Sequence, residues 1–242
     1  MASTSEVGHA KNAANFQDLI AFVIGYGATY NPSKNSLQLP QLEALYTQAN
    51  TNLNEVVNKD TAYNNAVNNR VESFDGLRSL STRLVNALDA TDASKEKIED
   101  AKGFNRKMQG QRASKKEQPV DPNQPAPKTI SSSQQSYDQM IQHFDGMISV
   151  LDSESSYTPN ETDLQIATLQ TKLQELKDRN KKVAVAYTDV SNARIARDKT
   201  LYNDETGLVD TASDVKKYVK SVFGATSSEF AQIKGIKFRK EK

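Results

Sequence analysis

The chain has no cysteine, no tryptophan and only two histidines in 242 residues. Without cysteine there can be no disulfide, no thiolate metal site and no cysteine nucleophile. His9 and His143 stand apart, and neither has a pair of carboxylates at ligand spacing. A zinc site or a Ser-His-Asp triad therefore has little to be built from, and both histidines read as ordinary helix residues. Neither sign of charge dominates: 31 Lys and Arg face 30 Asp and Glu, a formal net charge of +1. Such a balance exerts no global pull on nucleic acid or anionic lipid. Long apolar runs are missing as well. The most apolar stretch, Leu19–Ala28, is ten residues long, against the ~20 that a membrane-spanning helix needs. Met1–Asn15 is polar and lacks the apolar centre of a signal peptide. These absences predict a soluble, cytoplasmic protein with no cofactor, no metal and no enzymatic activity, and they leave export by a non-classical route open.

What is present is a repeat. Shifted by 127 residues, Tyr30-Asn31-Pro32 falls on Tyr157-Thr158-Pro159, Leu37, Gln38 and Leu42 on Leu164, Gln165 and Leu169, and Arg70 on Arg197. At a shift of 128, Phe16, Leu19, Ile20 and Val23 fall on Phe144, Met147, Ile148 and Leu151. After an insertion at Asn203–Thr206 the shift becomes 131, and Gly76-Leu77 falls on Gly207-Leu208. The matches carry one hydrophobic stripe in the same phase, as duplication of a helical unit requires. The expected division is a first helical repeat (1–108), a polar, proline-rich linker (109–131) and a second helical repeat (132–242).

Helical periodicity supplies the elements. Phe16, Leu19, Ile20, Val23 and Ile24 recur at three and four, predicting a helix from about His9 to Gly25. Gly25 and Gly27 terminate it. This placement makes Gly25-Tyr26-Gly27 a helix end and not a phosphate loop, which follows a strand. Ser33 or Ser36 is available to cap the next helix. From Leu39 to Phe74, Leu42, Tyr46, Ala49, Leu53, Val56, Asp60, Tyr63 and Val67 form a heptad seam with Asp60 as its polar intruder. In the second copy Ile166, Leu169, Leu173, Leu176, Asn180, Val183, Tyr187 and Val190 repeat the seam, with the intruder at Asn180. Further helices are expected over Leu77–Ala90, Asp92–Met108 and Leu208–Phe223. Ser132 with Gln135, and Thr226 with Glu229, have capping-box spacing. Whether the chain bends or reverses at Gly76 and Gly207 is not written in the pattern.

Three groups of residues are candidates for function. Leu19, Ile20, Phe22, Val23, Ile24 and Tyr26 are core if buried, and an assembly surface or membrane-inserting tip if exposed. Arg106, Lys107, Arg112, Lys115 and Lys116 end the first copy, as Lys237, Arg239 and Lys240 end the second. Together these could hold phosphates, although solvated helix ends that complement the macrodipole account for them equally. Arg70 and Arg197, each four residues after an alanine, are expected to form structural ion pairs.

The stretches Gly8–Phe16, Gly25–Ser33, Ser191–Arg194 and Gly224–Thr226 resemble an uncharacterised family of all-helical bacterial proteins of similar length. The resemblance implies a helical fold and brings no activity, cofactor or site residues. The sequence reading is an all-α, elongated bundle of long amphipathic helices in two pseudo-symmetric copies. Its expected function is that of a structural, self-assembling scaffold, coiled-coil in character, whose partner is itself or another protein. The alternatives are a membrane-active protein similar to helical pore formers, and a nucleic-acid-binding protein acting through the basic ends.

Overall fold

The computed structural model describes residues 4–110 and 135–240. Most of the predicted linker, Ser132 and the basic residues Arg112, Lys115 and Lys116 lie outside the described residues. Among those described, all regular secondary structure is helical.

Helix α1 (Thr4–Gly25) starts before the expected His9. It buries Ala13, Phe16, Leu19, Ile20 and Val23 along one face, together with three polar residues, His9, Asn12 and Asn15. It ends where the glycines predict, and Gly27 takes the left-handed φ of 59°. Helix α2 (Leu39–Phe74) has the predicted bounds, with Pro40 harmless in its first turn. Neither Ser33 nor Ser36 caps it; a short 3-10 turn, Asn35–Leu37, intervenes. Gly76, at φ 72°, separates α2 from α3 (Leu77–Asp89). Helix α4 (Lys95–Met108) is capped by Ser94, which accepts from the Lys97 amide.

Helix α5 (Tyr137–Asp152) is capped by Ser136, whose hydroxyl accepts from the Gln139 amide, so it starts later than the predicted Ser132. Ser136 and Gln139 keep the capping-box spacing, four residues further along. A 3-10 turn, Thr162–Leu164, likewise precedes α6 (Ile166–Tyr202). Helix α7 (Leu208–Phe223) has the predicted bounds. Gly207 opens it because a Cβ there would lie 2.6 Å from the Asn203 backbone nitrogen. Helix α8 (Ser228–Lys234) is capped by Ser227 and not by Thr226.

The chain forms two compact units, whose bounds differ from those of the expected repeats. One unit contains Met1–Asn64 and Val185–Lys242; the other contains Asn65–Ala184. Neither unit has the bounds of an expected repeat, 1–108 or 132–242. Each unit joins the leading half of one expected repeat to the trailing half of the other. The physical reason is that a hydrophobic stripe requires a helix face to be covered without naming the helix that covers it.

In the first unit the core is built from Phe16, Leu19, Ile20 and Val23 of α1, Leu42 and Ala49 of α2, and Leu208, Ala212, Val215 and Val219 of α7. In the second, Leu77, Leu84 and Leu88 of α3, Ile98 and Met108 of α4, Phe144, Met147 and Leu151 of α5 and Leu169, Leu173 and Leu176 of α6 pack together. Gly146 explains the closeness of α4 to α5: a Cβ at this position would lie 2.4 Å from the Phe104 ring. The loop before each long helix is closed by the same bond. The Tyr30 hydroxyl donates to Leu37 O at 2.7 Å, and the Tyr157 hydroxyl to Leu164 O at 2.9 Å.

Candidate functional site

Among the described residues, three of the eight buried polar side chains lie on α1, in the first unit. His9, Asn12 and Asn15 are spaced by three, so they share the face that elsewhere carries Phe16 and Leu19. Beyond α8 the chain leaves the helix and runs back over this face as a strap, residues 236–240. Asn12 addresses Arg239 twice: its amide nitrogen donates to Arg239 O at 2.8 Å, and its carbonyl accepts from Arg239 N at 3.0 Å. Asn15 donates to Lys237 O at 2.7 Å. Lys216 of α7 donates to Ile236 O and also sits over the Phe238 ring at 5.3 Å. Phe238 meets Phe16 edge-on, with ring centroids 6.5 Å apart.

Ile236 and Phe238 are half-buried while Lys237 and Arg239 are exposed. This is the alternation of a strand, laid on a helix. Lys240 ends the segment on Asp204 at 3.3 Å and Asp210 at 3.0 Å. That contact holds the Asp210 carboxyl below the usual range. Beneath the strap, His9 Nδ1 lies 2.7 Å from the Tyr202 hydroxyl, which also accepts from the Asn12 amide at 3.2 Å. Burial pulls the Lys216 ammonium below its ordinary value.

A second set of polar contacts clamps the loops. In the first unit Lys34 pairs with Asp214 of α7 at 2.8 Å. In the second, Asp163 pairs with Arg83 of α3 at 2.5 Å. Asp214 and Arg83 match at the shift of 131, so the polarity is reversed: the first loop offers the cation and the second the anion. Each partner's hydrogen bond holds the Asp163 and Asp214 carboxyls below the usual range.

Of the six candidate apolar residues, Leu19, Ile20 and Val23 are buried core, at 0%, 6% and 2% exposure. The stripe that singled them out is the one that buries them. Phe22 and Tyr26 are half-buried; the Tyr26 hydroxyl donates to Glu229 O. Ile24 alone of the six is exposed, at 52%. It borders a pocket of about 450 Å³ lined by Val23, Tyr30, Pro32, Gln38 and Leu39.

The predicted basic residues fall into both units. Arg106 and Lys107 belong to α4, in the second; Arg106 faces Glu99 at 3.8 Å, and Lys107 lies over Phe104. Lys237, Arg239 and Lys240 belong to the strap, in the first. The Arg70 guanidinium donates to the Asn180 carbonyl at 3.0 Å and lies 4.0 Å from the centre of the Tyr137 ring, while Asn180 donates to Asp138 at 2.7 Å. An amide and a ring thus take the place of the expected direct ion pair. Arg197 is buried and pairs with the carboxylate of its neighbour Asp198 at 2.8 Å.

No group of three or more His, Cys, Asp or Glu stands at metal-binding distance among the described residues. Nor, among those residues, is any helix long and apolar enough to cross a membrane. Comparison with known proteins returns no matching family, no matching curated protein and no matching solved structure.

Proposed function

We propose that the chain is a non-enzymatic structural component, an elongated scaffold of two related helical copies that works through its helix surfaces and self-associates. The observation that carries this reading is where the exposed apolar side chains sit. On α2, Val57 is 62% and Val71 53% exposed; on α6, Val185 is 53%, Tyr187 60% and Ile195 63% exposed. Only Ile24 and Val222 join them as large exposed hydrophobics among the described residues. Scattered apolar side chains are ordinary on a surface. Their concentration on the two longest helices favours contact along those helices with another helix.

The matched tyrosine bonds at Leu37 and Leu164 support the duplicated plan, as do the 3-10 turns Asn35–Leu37 and Thr162–Leu164 before the two long helices. The test is solution mass by light scattering after size exclusion, for the native chain and for Val57→Glu, Tyr187→Glu and Ile195→Glu. Each should stay helical by circular dichroism. A defined oligomer that at least one charge disperses is the expected result. A native chain that is monomeric at every concentration overturns self-association, and an oligomer indifferent to all three charges overturns the role of these helix faces.

A further inference from the structure

We propose that a cavity at the corner between α2 and α3, in the second unit, is a binding site for a free aromatic α-amino acid. The cavity has a volume of about 360 Å³, which lies within the range of pockets that hold small molecules. Its position follows from the chain. Helix α2 stops at Phe74, Gly76 turns the backbone at a φ of 72°, and α3 starts at Leu77. The turn sets Phe74, Asp75 and Arg78 around one hollow, which Tyr137 and Met140 of α5 also line.

The apolar wall selects an aromatic body. The Phe74 and Tyr137 rings stand 4.8 Å apart at 76°, the edge-to-face arrangement that aromatic side chains favour. The Arg70 guanidinium lies 4.0 Å from the centre of the Tyr137 ring and steadies it. Buried Met140 adds a polarisable side chain to the same wall, and thioethers attract the edges of aromatic rings.

The rim selects the charges. Asp75 and Arg78 stand three residues apart and line the same cavity, yet neither forms an ion pair among the described residues. Each is held by a neutral partner instead. One Asp75 carboxylate oxygen accepts from the Gly76 amide at 2.9 Å, and the Arg78 guanidinium donates to the Gln135 side-chain carbonyl at 2.6 Å. Asp75 keeps a second acceptor oxygen, and Arg78 keeps further N–H donors. The cavity therefore presents one negative and one positive group beside an aromatic wall. The complementary molecule carries an ammonium for Asp75, a carboxylate for Arg78 and a ring to lie against Phe74 and Met140. An aromatic α-amino acid holds these three parts together. Both rim groups are exposed, so added salt weakens the binding.

The experiment titrates the full chain with L-phenylalanine by isothermal calorimetry, beside phenylpropionate, phenylethylamine and L-leucine. Each of the first two analogues lacks one charge, and leucine lacks the ring. The expected result is saturable binding of phenylalanine, tighter than that of each of the three by about tenfold or more. Arg78→Gln should remove the advantage of phenylalanine over the amine, and Asp75→Asn its advantage over the acid. Both positions are exposed, so both variants should keep their helical circular dichroism. Should either lose it, the analogue series on the native chain decides alone. Absence of saturable phenylalanine binding overturns the site. Equal binding of an analogue with one charge overturns the roles of Asp75 and Arg78, and equal binding of leucine overturns the aromatic wall.

Discussion

Replacing Gly146 with alanine should destabilise the native chain and stabilise a chain that lacks the Phe104 ring. Gly146 lies inside α5, where alanine is favoured over glycine by about 1 kcal/mol on backbone grounds alone. Against this stands the Phe104 ring of α4, whose nearest carbons would be 2.4 Å from the new Cβ. Carbon atoms in contact sit about 3.5–4.0 Å apart, so the ring would have to retreat by more than ~1 Å. Overpacking of this kind costs about 1–3 kcal/mol. The native background should thus lose about 1 kcal/mol net, while in Phe104→Ala the same substitution should gain about 1 kcal/mol. At a urea dependence of about 2–3 kcal/mol per molar, the midpoint should move by about 0.4 M in opposite directions in the two backgrounds. Urea unfolding followed by far-ultraviolet circular dichroism on the four chains of the cycle measures this. Equal stabilisation by Gly146→Ala in both backgrounds would refute the claim that ring contact keeps this position glycine.

Three further outcomes are expected. His143 is held below its ordinary pKa by burial and by the nearby Lys107 charge, so the folded chain binds fewer protons than the unfolded one just below pH ~6.5. Stability should therefore fall as pH drops from 7.5 to 5.5, by at most about 1.4 kcal/mol per pH unit, and His143→Gln should flatten that slope of the denaturation midpoint. Tyr157→Phe should cost about 1–2 kcal/mol, because it strands the Leu164 carbonyl in a buried site. Burial pushes the Tyr157 phenol up to about 12. Tyr30→Phe should cost less, since Tyr30 is only half-buried; the reverse order in chemical denaturation would refute this. Lys34→Glu should lower the melting temperature, Asp214→Lys in the same chain should restore it, and both changes should shrink in 1 M salt. A melting temperature indifferent to either charge would show the clamp to be ornamental.

The limits of the sequence reading follow from what each signal measures. Hydrophobic period and glycine placement located α2 and α7 at their observed bounds, because they report backbone geometry within one element. Caps were legible in kind but not in position. The run from Ser131 to Gln135 offers several serines with glutamine downstream, and the cap falls on Ser136, where Met140, Ile141 and Phe144 come to face the core. The division into units was not legible, since Leu42 and Leu169 would make the same stripe whichever helix covered them. The strap was invisible for a different reason. Asn12 and Asn15 fall in the polar stretch Met1–Asn15, and the backbone groups they bind stand more than two hundred positions away. The one local hint was polar side chains spaced by three on the face that continues into Phe16 and Leu19. The apolar stripe left Leu19, Ile20 and Val23 as core or surface, and burial makes them core, because the stripe reports a helix face and not what covers it.

The uneven way the chain is shared between its units has a consequence for how the molecule comes into being. The second unit is one continuous stretch, Asn65–Ala184, while the first needs both Met1–Asn64 and Val185–Lys242. The hydrogen bonds named above within the second unit span at most 110 positions, as from Arg70 to Asn180, whereas Asn12 must wait for a residue 227 positions later. Contacts between distant residues are slow to form because loop closure must come first. On the ribosome the second unit can be finished while α1 still lacks α7 and the strap. The first helix, with its buried asparagines uncovered, is then the last part of the protein to find its place.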